Sequence, residues 1–90
     1  MTTRKILVRG KVQGVWFRKY TQKKAQELEL VGYVRNEPDG SVLIVAQGSE
    51  ADLDRLEAWC SVGSPKSDVS TVSSTAMESE KTCEAFNIKH

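Results

Sequence analysis

A single histidine, His90 at the last position, and two cysteines, Cys60 and Cys83, are all that this 90-residue chain offers of the side chains most used as nucleophiles, bases and metal ligands. An active site built on histidine is therefore not expected, the more so because a last residue is usually the least ordered. Two thiols make neither a disulfide framework nor a four-ligand metal site. They read as two reduced, partly buried thiols. A single bridge stays open, because sequence does not give their separation in space. No apolar run approaches the roughly 18 residues of a membrane span. The start, Met-Thr-Thr-Arg-Lys, has basic residues without the apolar segment and small-residue cleavage site of a secretion signal. The expectation is a cytoplasmic protein with no membrane partner. Ninety residues make one domain, 1–90, that closes one core. With 39% hydrophobic and 28% charged residues, the composition is that of an ordinary globular protein.

The net charge of +1 hides an asymmetry. Residues 1–36 hold nine Lys or Arg against Glu27 and Glu29, a net of +7. Residues 37–90 hold four basic and ten acidic residues, a net of −6. A basic half attracts anions, either a small phosphate or a nucleic-acid backbone. The plainer reading is two solvated faces that neutralise each other once interleaved in the fold.

Hydrophobic spacing gives the order of elements. Residues 5–12 alternate as a strand, with Ile6, Val8 and Val12 on one face. From Phe17 the period lengthens: Phe17, Tyr20, Thr21, Ala25 and Leu28 fall on one face of a helix running to about Leu30. Residues 31–36 and 41–47 pair as a hairpin around Glu37-Pro38-Asp39-Gly40, where proline and glycine supply the turn. Val42 to Ala46, continuously apolar, is a central strand. Ser49 and Asp52 resemble a capping box ahead of a second helical stripe, Leu53, Leu56, Trp59 and Cys60, which Gly63-Ser64-Pro65 ends. Residues 68–76 form a less hydrophobic strand, 77–82 a loop, and 85–89 a short last strand with Phe86 and Ile88 inward. This order predicts an α+β, ferredoxin-like (split βαβ) architecture: βαββαβ plus a short extra C-terminal strand, with both helices on one face of a mostly antiparallel sheet.

The residues that carry chemistry lie at the first strand-to-helix junction. Gly10-Lys-Val-Gln-Gly-Val-Trp-Phe-Arg18 places two glycines and an arginine where a strand becomes a helix. Backbone N–H groups turned inward, the positive end of the helix dipole and a guanidinium together make a cradle for a phosphate. The segment is neither a P-loop nor a dinucleotide fingerprint. Taken singly it also reads as a softened turn with Arg18 a surface cation. Asn36 closes the next strand just before a turn, and alone it is an ordinary turn asparagine. The deduced topology, however, brings it to the same end of the sheet as the loop.

Together these stretches resemble the acylphosphatase family. Two patterns carry the resemblance: Gly10-x-Val12-Gln13-Gly14-Val15-x-Phe17-Arg18, and Gly32-Tyr33-Val34-Arg35-Asn36 followed by Gly40, Val42 and Gly48. The ending Phe86-Asn87-Ile88-Lys89 looks like the family's last strand. The resemblance implies hydrolysis of the carboxyl-phosphate bond of acyl phosphates to carboxylate and inorganic phosphate, with no metal and no cofactor. It implies a phosphate-binding loop of Gln13, Gly14, Val15, Trp16, Phe17 and Arg18, with Arg18 on the substrate phosphate and Asn36 on the attacking water. Physical reasoning agrees, since a carboxylate with a conjugate-acid pKa near 4 leaves without a general acid. Phosphoryl transfer through a loose transition state needs positioning and charge stabilisation above all. Trp16 stands at a variable position of the family, its ring placed to border the phosphate site. Glu29 stands where the family often has glycine at a helix end, a matter of stability. The segment Ser64-Pro65-Lys66-Ser67-Asp68 also departs from the family's pattern. The implied partner is a small-molecule acyl phosphate and the implied state a monomer, free-standing in contrast to the related domain of larger hydrogenase-maturation proteins.

Two other classes share the architecture. RNA-recognition modules stack bases on aromatics of the central strands, yet residues 5–12 and 42–46 contain none. No nucleic-acid partner is expected. A phosphate- or metabolite-binding module without catalysis would not need both Arg18 and Asn36.

Overall fold

The structure is a computed structural model and describes residues 2–78 and 82–89. Its elements are β1 (Thr2–Lys11), α1 (Phe17–Glu27), β2 (Val31–Asn36), β3 (Val42–Gly48), α2 (Glu50–Val62), β4 (Asp68–Met77) and β5 (Phe86–Lys89). The five strands form one sheet in the order β4-β1-β3-β2-β5. All neighbours are antiparallel except β2 and β5, which run parallel. This is the expected ferredoxin-like arrangement with the extra strand added beside β2. His90 and residues 79–81 of the expected 77–82 loop lie outside the described residues, and β4 itself runs on to Met77.

The core sits between the sheet and the two helices. Ile6 and Val8 of β1, Val34 of β2, Val42, Ile44 and Ala46 of β3, and Phe86 of β5 meet Phe17 and Ala25 of α1 and Leu53, Leu56 and Cys60 of α2. Each large side chain so buried contributes on the order of 1.5–3 kcal/mol. Phe17 also stacks obliquely on Trp59, ring centroids 5.4 Å apart, joining the two helices directly above the start of α1. All of β3 from Val42 to Gln47 is buried, as a central strand should be.

Three details differ from the hydrophobic pattern. A bulge between Arg9 and Gly10 shifts the register of β1 against β4, so Gly10 pairs with Val69 while Arg9 pairs with Thr71. The extra residue, Ser70, lets Val69 and Val72 both pack against the core despite their odd spacing. Tyr20 is 41% exposed, not part of the inward stripe. At 100° per residue it lies about 100° from the centre of the face made by Phe17, Thr21 and Ala25. Lastly, α1 stops at Glu27 instead of Leu30. The N–H of Leu30 reaches the carbonyl of Ala25 (2.9 Å) and that of Glu29 reaches Gln26 (3.1 Å). This is a Schellman closure with a left-handed glutamate (φ 57°) in the place usually held by glycine.

The start of α2 follows the expected cap in part. Ser49 Oγ accepts from the N–H of Asp52 at 3.2 Å, but the Asp52 carboxylate takes the Ser49 hydroxyl instead of the Ser49 backbone. The two thiols are unbridged, Cys60 buried and Cys83 half-buried. Ion pairs do interleave the charged halves: Arg4 meets Asp54 and Glu57, Arg9 meets Asp39, and Arg35 meets Glu37.

Candidate active site

β1 and β2 flank β3 and both run antiparallel to it, so they share a direction and end at the same edge of the sheet. The register puts Val8, Val42 and Asn36 in one row across three strands. Beyond that row the chain leaving β1 folds into α1 above Asn36. Gly14, Trp16, Phe17, Arg18 and Lys19 line a cleft of about 390 Å³ together with Asn36, over Val12 and Ile88.

The loop is tied down on three sides. The Gln13 side-chain amide donates to the carbonyls of Glu37 (2.8 Å) and Ser41 (2.9 Å). The buried Ser64 hydroxyl donates to the carbonyl of Val15 at 2.8 Å. The side chains of Val15 and Phe17 are anchored in the core. Gln13 and Val15 therefore belong to the loop's support, and their side chains do not line the cleft.

Backbone conformation opens the other side. Gly14 (φ 74°) and Trp16 (φ 65°) are both left-handed, and such turns curl successive N–H groups into a concavity. Among the described residues no backbone carbonyl accepts from the N–H of Gly14, Val15, Trp16 or Phe17. Trp16 is the N-cap of α1, makes no side-chain cap, and no acidic residue lies in the first turn. The helix thus presents its positive dipole end to the cleft with no acidic residue in its first turn to offset it. Holding a tryptophan left-handed costs about 1–2 kcal/mol, which the anchored loop sustains.

Arg18 stands on the facing side, its guanidinium donating to the carbonyl of Lys89 at 3.2 Å and so held against the end of β5. Asn36 brings an oddity. Its Oδ1 is buried and has no hydrogen-bond partner among the described residues. An unsatisfied buried acceptor costs roughly 1–3 kcal/mol. Asn36 itself lines the cleft, so a turn of its amide toward that space would offer the unfilled acceptor to a water or ligand. Among the described residues no three His, Cys, Asp or Glu side chains gather as metal ligands would.

Sequence reasoning missed three contributors. Lys19 lines the cleft beside Arg18, and only its place in the first helical turn hinted at that. Ser64 supports the loop from 49 residues away, and Lys89 supplies a backbone carbonyl, neither with any local signal.

The acylphosphatase family model matches residues 4–88. This chain belongs to the acylphosphatase family. An acylphosphatase of Xanthomonas euvesicatoria is 50% identical over 76 residues, 84% of this chain and 86% of the relative. One from Marinobacter nauticus is 42% identical over 85 residues, 94% and 92% of the two chains. The crystal structure of acylphosphatase from Bacillus subtilis superimposes over the whole of both chains with a TM-score of 0.95 at 38% identity. The acylphosphatase match thus takes in the loop, Arg18, Asn36 and β5 alike.

Proposed function

We propose that the chain hydrolyses acyl phosphates to a carboxylate and inorganic phosphate, with the cleft between the α1 N-terminus and Asn36 as its active site. The observation that carries the assignment of the cleft is the pairing of an uncapped helix start and Arg18 with the unpartnered Asn36 Oδ1 across one cavity. The N–H groups of the Gln13–Phe17 loop and the Arg18 guanidinium take the three non-bridging phosphoryl oxygens. Their hold strengthens as charge builds in the transition state. Asn36 Oδ1 accepts one hydrogen of a water and aligns its oxygen with phosphorus, opposite the leaving carboxylate. The oxygen–phosphorus bond forms as the bond from phosphorus to the acyl oxygen breaks. The carboxylate departs with the bonding electron pair and the water's proton passes to a phosphate oxygen. No general acid is required because the leaving group is stable as its anion, and the substrate's own phosphate oxygen stands in for a protein base.

The same reading takes the chain as a cytoplasmic monomer acting on a small-molecule substrate, with no nucleic-acid or membrane partner. Among the described residues no helix is long and apolar enough to cross a membrane. The test is release of phosphate from acetyl and benzoyl phosphate, with and without chelator. Phosphate release unaffected by chelator is expected. Loss of activity on chelation overturns the metal-free route, and no release at all overturns the function.

A further inference from the structure

A second concavity, of about 550 Å³, runs along the outer face of α1 and is lined by Trp16, Lys19, Tyr20, Gln22, Lys23 and Gln26. Trp16 and Lys19 also line the proposed catalytic cleft, so the two spaces adjoin at these side chains. Two aromatic rings face solvent here, Trp16 73% and Tyr20 41% exposed. Both sit on a helix whose other face holds the core, and Trp16 does so in a strained backbone conformation. No carboxylate lines the groove, and among the described residues no carboxylate pairs with Lys19 or Lys23. Gln22 is fixed by donating to the carbonyl of Phe86 at 3.0 Å. The groove therefore offers flat apolar walls beginning at the phosphate site and uncompensated positive charge further on.

We propose that this groove receives the acyl group of the substrate, Tyr20 and Lys23 selecting acyl groups that carry a ring and, beyond it, a negative charge. The proposal rests on the hydrolase reading of the adjoining cleft. Seven residues separate Trp16 from Lys23, about 10 Å along a helix axis. That span suits an aromatic acyl group with a carboxylate or phosphate at its far end. The ring lies on Trp16 and Tyr20, as aromatic pairs prefer, and the distal anion meets the Lys23 ammonium. An acetyl group is too short to reach either Tyr20 or Lys23.

The test compares acetyl phosphate, benzoyl phosphate and 4-carboxybenzoyl phosphate on the full chain and on Tyr20→Ala and Lys23→Glu. Tyr20→Ala is expected to lower kcat/KM for both aryl substrates by about 3- to 10-fold, through KM, with acetyl phosphate changed less than about 2-fold. Lys23→Glu is expected to lower kcat/KM for the carboxylated substrate by about 3- to 10-fold, benzoyl phosphate less, and the loss shrinks at high salt. Equal losses on all three substrates, or none on the aryl pair, overturn the acyl groove while leaving the hydrolase reading intact. Failure of the unaltered chain to release phosphate from any of the three overturns both.

Discussion

Gln13 spans the gap to Glu37: its side-chain nitrogen lies 2.8 Å from the Glu37 carbonyl and 2.9 Å from that of Ser41. One amide thereby fastens the loop before α1 to the turn that follows Asn36, and fixes the distance between the two halves of the cleft. Gln13→Ala removes one of the two hydrogen bonds at each carbonyl, leaving the Glu37 carbonyl with the Gly40 N–H and the Ser41 carbonyl with the Glu37 N–H. It is expected to lower stability by about 1–3 kcal/mol and to reduce kcat more than it raises KM. Denaturant titration and steady-state kinetics check both. Unchanged kcat with reduced stability would show a structural tie with no part in positioning.

Arg18 and Asn36 separate by kinetics. Arg18→Lys keeps the charge but loses the forked donor pair, so turnover should fall by roughly 10²–10³, with weaker inhibition by inorganic phosphate. Asn36→Ala should reduce turnover on the same scale while phosphate inhibition stays nearly intact, because its contact is with water. Wild-type turnover in Arg18→Lys would remove the guanidinium assignment. Parallel loss of turnover and phosphate inhibition in Asn36→Ala would remove the water-orienting one.

Glu29 holds a left-handed conformation (φ 57°) at the closure of α1. Glycine adopts it without a Cβ penalty, so Glu29→Gly should stabilise the chain by up to about 1 kcal/mol. The position lies away from the cleft, and kcat/KM should not move. A lower thermal midpoint for Glu29→Gly would sink this account.

Burial pushes the Cys60 thiol up from an ordinary 9.0 to about 12. With the folded-state value raised, its contribution to stability is complete below pH 9 and is lost as pH rises from 9 towards 12. The destabilisation caused by Cys60→Ala should therefore be smaller at pH 10.5 than at pH 8, by about 2 kcal/mol. Denaturant titrations of both proteins at the two pH values measure it. In the native chain at pH 8, a thiol reagent should modify Cys83 well before Cys60.

Much of this molecule is legible in its sequence because local and global preferences agree. Val42 to Ala46 is apolar without interruption and is the buried central strand. Glu37 to Gly40 makes the turn, with Asp39 accepting from the Ser41 N–H at 3.0 Å. The nearness of Arg18 and Asn36 followed from strand direction alone: two strands joined by a helical crossover run the same way and end together. What stayed hidden depends on tertiary contacts. Periodicity could not show that the Arg9/Gly10 bulge would bring Val69 and Val72 to one face, nor that Tyr20 would turn outward beside Lys23. Ser64, in a stretch unlike the family's usual pattern, gave no hint that its hydroxyl would hold the Val15 carbonyl.

The placement of β3 between β1 and β2 has a kinetic corollary. Neither Arg18 nor Asn36 can work until three strands have zipped together, since the row from Val8 through Val42 to Asn36 exists only in the assembled sheet. Recovery of acyl phosphate turnover after dilution from denaturant is thus a clock for long-range strand assembly. It will lag behind any signal that reports only the winding of the helices.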